Sequence, residues 1–466
     1  MSESTGNGTG TGTGAELPAA APRQVLDLRA ATLLVIANMI GTGVFTTLGL
    51  QAAGVPDGAA LLLLWLLGGV IAACGALVYA ELAAALPRSG GEYVYLSRSF
   101  GPAVGIIAGW ISATVGFAMP IALAAMAFGQ YAATVLPVSP KPLAVGAVIL
   151  IASLHAFDVA LGARFQVWMT LLKVVAIVLF CIVGLLLPAA PGALSPLPGA
   201  DTPAALLSPA FALSLVYVSY AYSGWNAAVY VAAEVRAPQR VVPQALLLGT
   251  GAVTLLYLLL NWVFLRSTAA AELAGTVEVG ALAAAHLFGA AGGAIISSML
   301  ALLLLSTISA MLLAGPRVFE AMAADRPALS LFGARNRRGA PTRAVLFSLG
   351  LALGLILLGT FAEVLAFAGF TLMLSSLLTV LGAMRLRRTE PALPRPFRVP
   401  WYPWPALVYL FLTAAALLVV TWSEPWLVLA GLCAMAAWWW RLSRRRSDDP
   451  KIPRDGRCPR PPGAGL

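Results

Sequence analysis

Two short glycine-containing segments could bind a small ligand with backbone atoms alone. Gly41-Thr42-Gly43 lies inside the first long apolar run of the chain, and Ser223-Gly224-Trp225-Asn226 lies inside the sixth. Because glycine is a poor helix former, both segments predict a break near the middle of a helix. A broken helix has free N–H groups at the start of its second half and free carbonyls at the end of its first. In lipid, such groups are tolerated where they line a polar cavity.

The free backbone groups predict a site for an α-amino acid. The backbone amides that follow Gly41, those of Thr42, Gly43 and Val44, are donors suited to a carboxylate. Acceptors suited to an ammonium are the carbonyls around Ala37, Ile40, Tyr220, Ala221 and Ser223. The alternative for Gly41-Thr42-Gly43 taken alone is a close-packing surface of small residues. Two breaks in corresponding positions of the chain favour the binding site.

Lys173 stands inside the fifth apolar run, with no acidic residue within a helical turn. A charged side chain is costly there and usually faces a cavity. Because burial disfavours the charged form, Lys173 could release and regain a proton during a transport cycle, as a coupling residue. The alternative is a lysine that snorkels to the membrane surface, which lies nine residues away at Arg164.

The sequence argues against an enzyme. It has two histidines, no His-Glu-x-x-His motif and no pair of aspartates at mid-membrane depth. Its four cysteines share no close spacing, so we expect no metal site and no cofactor. The predicted spans one, three, six, eight and ten carry no acidic residue near their middle, which favours a neutral amino acid as the ligand.

The elements that must position these residues are membrane helices. Of the 466 residues, 60% are hydrophobic and 10% charged, whereas soluble domains have about 25% charged residues. We therefore expect an all-α polytopic membrane protein with 12 transmembrane helices. The predicted spans are approximately 29–50, 59–86, 100–135, 142–160, 162–187, 204–233, 242–265, 290–322, 343–359, 361–384, 405–422 and 426–440.

The basic residues predict the orientation of these spans. Of the 29 lysines and arginines, 26 fall on one face, Lys141 and Arg266 fall on the other, and Lys173 lies within a helix. By the positive-inside rule, both termini are cytoplasmic in a multi-pass protein of the cell membrane. This distribution also accounts for the net charge of +10, so we expect no nucleic acid partner.

The breaks predict an internal repeat. They lie in spans one and six, and an offset of five helices gives two units of opposite orientation, an inverted repeat. The predicted domains are a disordered cytoplasmic tail (1–22), a transporter domain (23–440) and a basic cytoplasmic tail (441–466). Within the transporter domain, repeat one covers about 29–187, repeat two about 204–384, and two extra helices about 405–440.

The motifs resemble those of the amino acid–polyamine–organocation superfamily, on the branch of bacterial amino acid permeases related to the L-type transporters. The resemblance covers roughly residues 29–440. It rests on Gly41-Thr42-Gly43-Val44-Phe45, on Tyr79-x-Glu81-Leu82 followed by Pro87-x-Ser89-Gly90-Gly91-x-Tyr93, on Gly101-Pro102 with Gly109-Trp110, on Tyr222-Ser223-Gly224-Trp225-Asn226 with Glu234-x-Arg236, and on Gly315-Pro316-Arg317.

The resemblance implies a LeuT-like fold, a 5+5 inverted repeat with broken helices 1 and 6 plus two C-terminal helices. It implies that the substrate carboxylate binds the amides of residues 42–44 and that Tyr220 is an aromatic gate. Lys173 matches a lysine of the family that occupies the sodium position of sodium-dependent relatives, which implies sodium independence. Tyr220 stands where many relatives carry phenylalanine, and Ser223 where some carry glycine or aspartate.

The sequence therefore predicts sodium-independent transport of amino acids, as proton-coupled symport with Lys173 as the relay. An obligatory exchanger with a structural Lys173 and a non-transporting sensor of the same fold are the alternatives. The expected partners are an amino acid, protons and the lipid bilayer, with no required protein partner.

Overall fold

The structure, a computed structural model, describes residues 24–426 apart from 25, 158, 327, 328, 337 and 424. This part of the chain is helical, with two isolated β-bridges and no longer strand within it. It contains eight helical spans that are long and apolar enough to cross a membrane, of which the first, Leu28–Gly54, is interrupted, and three shorter apolar helices accompany them. The chain is therefore an all-α polytopic membrane protein, as its composition predicts. The predicted tails and most of the twelfth span lie outside the described residues.

The helices follow one another with short connections. They are α1 Leu28–Met39, α2 Gly43–Gly54, α3 Gly58–Ala85, α4 Glu92–Phe100, α5 Pro102–Ile111, a π-helical segment Ser112–Ala118, α6 Met119–Ala133, α7 Pro140–Phe157, α8 Val159–Leu186, α9 Thr202–Leu206, α10 Pro209–Ala221, α11 Ala227–Tyr230, α12 Pro238–Ser267, α13 Ala270–Leu273, α14 Val279–Asp325, α15 Ser330–Gly333, α16 Thr342–Leu358, α17 Phe361–Thr389 and α18 Trp404–Ser423.

Local sequence explains where several helices begin. Asp27 and Asp57 cap α1 and α3, and each carboxylate accepts a hydrogen bond from the N–H three residues on, at 2.8 and 2.7 Å. At α17, Thr360 and Glu363 form a reciprocal capping box. These caps satisfy N–H groups that the helix itself leaves free.

Two predicted spans differ from the observed helices. The third span is preceded by a separate helix, α4, because Gly101 has φ +101° and Pro102 then starts a new helix. The same span contains the π-helical segment, which no periodicity of apolar residues indicates. The eighth span starts near residue 290 as predicted, directly after a non-helical kink at Gly289, where φ is +73°, but a further helical segment from Val279 precedes the kink.

The long helices form two packed groups. In the first group, α12 lies along α3 and α1, and α10 packs on α3. In the second group, α6 packs on α7 and α14, and α16 packs on α7. Small residues permit the close approaches: a Cβ at Gly68 of α3 would lie 2.3 Å from Val218 of α10. The end of the bundle where α1 begins, at which Leu26 pairs with Val235, is called the N-terminal face below.

Glu81 forms a buried ion-pair cluster at the N-terminal face. It is 5% exposed, and it accepts hydrogen bonds from Arg387 (2.7 Å) and from the N–H of Val399 (2.8 Å). The Nε atom of Arg395 lies 3.4 Å from Oε1 of Glu81. The cluster joins α3, α17 and the segment before α18.

Replacing Glu81 by alanine is expected to destabilise the protein by about 3 kcal/mol, because two arginines then lose their carboxylate partner in a buried setting. This effect is measured by heating the protein in detergent and recording the fraction that stays monodisperse at each temperature. The control is Arg98→Ala, which removes an exposed ion pair with Glu390 and should cost less than about 1 kcal/mol. Equal melting temperatures for the two variants would contradict the role given to Glu81.

Candidate functional site

The first break has the predicted position. α1 ends at Met39, and Ile40 has a non-helical ψ of 79°. α2 then begins at Gly43, and Thr42 before it provides no side-chain cap for the first-turn N–H groups. Gly41 and Thr42 therefore separate the carbonyl end of one half-helix from the amide end of the other.

The second break also has the predicted position. α10 ends at Ala221, and the chain turns through residues 222–226 before α11. Gly224 has φ +96°, a backbone conformation that side chains with a Cβ rarely adopt. The turn is fixed by bonds from the N–H of Ser223 to the Tyr220 carbonyl (2.8 Å) and from Ala227 to Gly224 (2.9 Å).

The two breaks touch each other through their backbones. A Cβ on Gly43 would lie 2.4 Å from the Cα of Ala221. A Cβ on Gly224 would lie 2.7 Å from the carbonyl oxygen of Asn38. The glycines therefore allow two half-helices to pack closely, which is the packing alternative for Gly41-Thr42-Gly43. The same close packing brings the free ends of both broken helices to one place.

Tyr257 of α12 joins the two breaks. It is fully buried, and its hydroxyl lies 2.5 Å from the Met39 carbonyl and 3.1 Å from the Ala221 carbonyl. Tyr257 was not among the residues predicted from the sequence. A tyrosine within an apolar run does indicate such a role, because a buried phenol needs a hydrogen-bond partner.

Lys173 of α8 reaches the first break. It is 1% exposed, and its ammonium donates to the Ile40 carbonyl at 2.7 Å and to Thr307 Oγ1 of α14 at 3.0 Å. The side chain therefore points inward, and the snorkelling alternative is wrong. The lysine binds one of the carbonyls that α1 leaves free, and it connects α8 and α14 to that carbonyl.

Three of the five predicted carbonyl acceptors already accept a hydrogen bond from the protein. The Ile40 carbonyl binds Lys173, the Tyr220 carbonyl binds the N–H of Ser223, and the Ala221 carbonyl binds Tyr257. Ala37, in the last turn of α1, and Ser223, in the turn after α10, are the other two. Tyr220, the predicted gate, is buried in the last turn of α10, directly before the second break.

A cavity lies beside the breaks, toward the N-terminal face. It includes Ser223, Gly224, Trp225 and Asn226 of the second break, but not the amides of residues 42–44 or Lys173. Its walls come from α1, α3, α4, the π-helical segment, α10, α11, α14, α17 and α18. The lining residues are Asn38, Gly68, Ile71, Ala72, Glu92, Gly116, Phe117, Ser219, Tyr222, Ser223, Gly224, Trp225, Asn226, Ala227, Tyr230, Met311, Gly369, Leu372, Met373, Ser376 and Tyr409.

Glu92 is a buried carboxylate on the wall of this cavity. It accepts hydrogen bonds from Tyr79 (3.0 Å), Ser112 (3.1 Å), Asn226 (2.8 Å) and Tyr230. In the sequence, Glu92 is the variable position of Gly90-Gly91-x-Tyr93 and was not predicted as a site residue. It lies outside the long spans, because it begins the short α4, and it reaches the cavity from there.

Replacing Tyr257 by phenylalanine is expected to slow ligand turnover about tenfold, because a buried carbonyl left without its donor costs about 1–3 kcal/mol. The ring stays packed on Trp65 and Tyr222, so the melting temperature should change by a few degrees at most. The measurement is the rate of uptake of a labelled amino acid into vesicles. The control is Tyr222→Phe, which removes a hydroxyl that donates to the Trp65 carbonyl and not to a carbonyl of either break. Equal rates for both variants would contradict the role of Tyr257 at the breaks.

Comparison with known proteins assigns the chain to a family. The model of the family described as amino acid permease matches residues 26–436, which includes both breaks, Lys173 and every described helix.

Individual relatives agree with this match. The chain is 27% identical to the b(0,+)-type amino acid transporter 1 of Mus musculus over 437 residues, which are 91% of this chain and 85% of the relative. It is 28% identical to the large neutral amino acids transporter small subunit 2 of Mus musculus, over 89% of this chain and 80% of the relative. It is 25% identical to the serine/threonine exchanger SteT of Bacillus subtilis (strain 168), over 91% of this chain and 98% of the relative. The superfamily predicted from the motifs is thereby confirmed, and the chain belongs to the amino acid permease family.

Proposed function

We propose that the protein carries neutral amino acids across the cell membrane by sodium-independent secondary transport, coupled to protons. The observation that carries this proposal is the contact between two broken helices, with a buried lysine on the carbonyl end of the first. Amides at the start of α2 and carbonyls at the ends of α1 and α10, each of which can accept a second hydrogen bond, then lie within reach of one zwitterion. The substrate residues of this proposal are those predicted from the sequence.

Lys173 supports both the coupling and the absence of sodium. Its ammonium takes the Ile40 carbonyl and the Thr307 hydroxyl, two oxygens of the kind that a sodium ion would need. A lysine that gives up its proton holds both oxygens less tightly, because a neutral amine is a weaker hydrogen-bond donor than an ammonium, and the break then loses a fixed positive charge. Loss of a proton at Lys173 would thereby change how α8 and α14 hold α1.

The test is uptake of labelled neutral amino acids into proteoliposomes of the purified protein. We expect accumulation in liposomes without internal amino acid when an inward proton gradient is applied, and the same accumulation when potassium replaces sodium. Uptake that requires sodium would contradict sodium independence. The absence of any amino acid flux under all conditions would favour a sensor of the same fold over a transporter.

Obligatory exchange is the second candidate function. It is favoured by the exchanger SteT, which the chain matches over 98% of that relative's length. In this case uptake needs an internal amino acid and ignores the proton gradient, and Lys173 is structural. The same proteoliposomes distinguish the two, because they can be loaded with amino acid or left empty.

The finer architecture is part of the proposal. Twelve spans with both termini in the cytoplasm would form an inverted repeat, 29–187 and 204–384, followed by two further helices at 405–440. The support comes from two broken helices at an offset of five spans and from the basic residues that collect on one face. Labelling of single cysteines placed in the loops from each side of the membrane tests this topology.

A further inference from the structure

Glu92 differs from the other buried acid described above. Glu81 is paired with arginines, whereas the hydrogen bonds that the structure gives Glu92 all come from neutral donors. Glu92 is 4% exposed and lies on the cavity wall. A carboxylate removed from water depends on its donors, because an ionised group without hydrogen bonds is very costly to bury.

The donors around Glu92 come from both helix groups. Tyr79 belongs to α3, and Asn226 and Tyr230 lie at the two ends of the segment that contains α11, which continues the broken helix. Ser112 belongs to the π-helical segment that leads into α6. The carboxylate therefore holds the second half of the broken helix and α3 against the second group, at the level of the cavity.

Other contacts fix the same segment on the N-terminal side of Glu92. The N–H of Ala233 donates to Ser89 at 3.0 Å, and Glu234 pairs with Arg317 of α14 at 2.8 Å. Among these contacts, the hydrogen bonds of Glu92 are the ones that lie at the cavity wall. If the two helix groups separate at this face, these hydrogen bonds must break.

We propose that Glu92 is a positioning residue that closes the cavity toward the N-terminal face by clasping α11 to α3 and to the π-helical segment. The proposal rests on the proposed transport function, because a cavity that opens alternately needs a closure on each side. When the donors move away, the ionised carboxylate needs hydrogen bonds from water in their place. Opening of this face and hydration of Glu92 therefore occur together.

The test uses an exchange of donor and acceptor between Glu92 and Asn226. Glu92→Gln replaces the charged acceptor by a neutral amide, and Asn226→Asp places a second carboxylate where a donor stood 2.8 Å away. Both changes should weaken the clasp. In the double variant an amide at position 92 faces a carboxylate at position 226, which restores the pair with its direction reversed. Hydroxyl partners can donate or accept and adapt to either arrangement.

The readout is access to the cavity. Ser376→Cys places a thiol on the cavity wall in a background in which Cys74, Cys181, Cys433 and Cys458 are serine. A membrane-impermeant maleimide is applied from each side of the membrane. From the N-terminal side, we expect each single variant to label about tenfold faster than the parent, because the loss of one hydrogen bond to a charged group shifts an opening equilibrium by about that factor. The double variant should return toward the parent rate.

The matched control is Glu390→Gln, a carboxylate of the same face that pairs with Arg98 away from the cavity, and it should leave the labelling rate unchanged. Unchanged labelling in both single variants would overturn the proposal. So would a changed pH dependence of uptake without changed labelling, which would make Glu92 a proton site, or a selective loss of cationic amino acid uptake, which would make it a ligand subsite. Labelling needs no transport, so its result stands even if the parent carries no amino acid.

Discussion

Replacing Gly224 by alanine is expected to reduce amino acid transport by about tenfold or more, because the left-handed backbone alone costs about 1–2 kcal/mol for a residue with a Cβ. The added methyl group would also lie 2.7 Å from both the carbonyl carbon and oxygen of Asn38. These are backbone atoms at the end of α1, so no side-chain rotation relieves the contact. The substitution must separate the two broken helices or distort the turn between α10 and α11.

The measurement is initial uptake in proteoliposomes, normalised to correctly folded protein by gel filtration. The matched control is Gly251→Ala on α12, where a Cβ meets nothing within 4 Å and transport should stay within about twofold of the parent, because an unobstructed helical Gly→Ala change is neutral or stabilising. Gly43→Ala tests the same contact from the other side, since its Cβ would lie 2.4 Å from the Cα of Ala221. Full activity of Gly224→Ala would show that the breaks need no backbone contact.

The sequence predicts these breaks because glycine acts locally. A glycine beside polar residues inside an apolar run weakens a helix wherever the run folds, so Gly41, Gly43 and Gly224 could be singled out without knowledge of any distant residue. The same reasoning applies to the lysine, because a charge among apolar residues must find a partner in any fold. Its partner is the Ile40 carbonyl, which lies at the end of α1, where the glycines interrupt the first span.

What the sequence does not show is which distant side chains meet. Tyr257 and Glu92 contribute through contacts with residues far along the chain, and neither has an unusual local pattern. Glu92 stands near the end of a span, where an acid is ordinarily solvated or paired with an arginine, as Glu81 is. The short helix α4 turns it toward the cavity, and this helix was not predicted, although the third span was expected to begin near the Gly101-Pro102 motif that ends α4. The reasoning that favoured a neutral ligand therefore overlooked the acid that borders the cavity.

Replacing Lys173 by methionine is expected to lower proton-driven accumulation about 10- to 100-fold, because a hydrogen bond from a charged donor to a buried carbonyl is worth about 1.5–3 kcal/mol. Methionine keeps much of the length and apolar contact of the lysine stem, so the cavity left behind is small. The Ile40 carbonyl and the Thr307 hydroxyl then lose their common donor. The variant should still bind amino acid, since the amides of α2 and the second break are unchanged.

Comparison with two further variants separates a proton relay from a fixed support. Lys173→Arg keeps the positive charge but cannot release its proton at physiological pH, so it should retain exchange of internal for external amino acid and lose accumulation driven by the gradient. Lys141→Met is the control, because that lysine is exposed and binds the Leu357 carbonyl at the far end of the bundle. If Lys173→Arg accumulates amino acid as well as the parent does, the charge suffices and no proton passes through this residue. If accumulation and exchange fall together in Lys173→Met while Lys173→Arg keeps both, Lys173 is a structural tie on α1, and exchange becomes the better account of the protein.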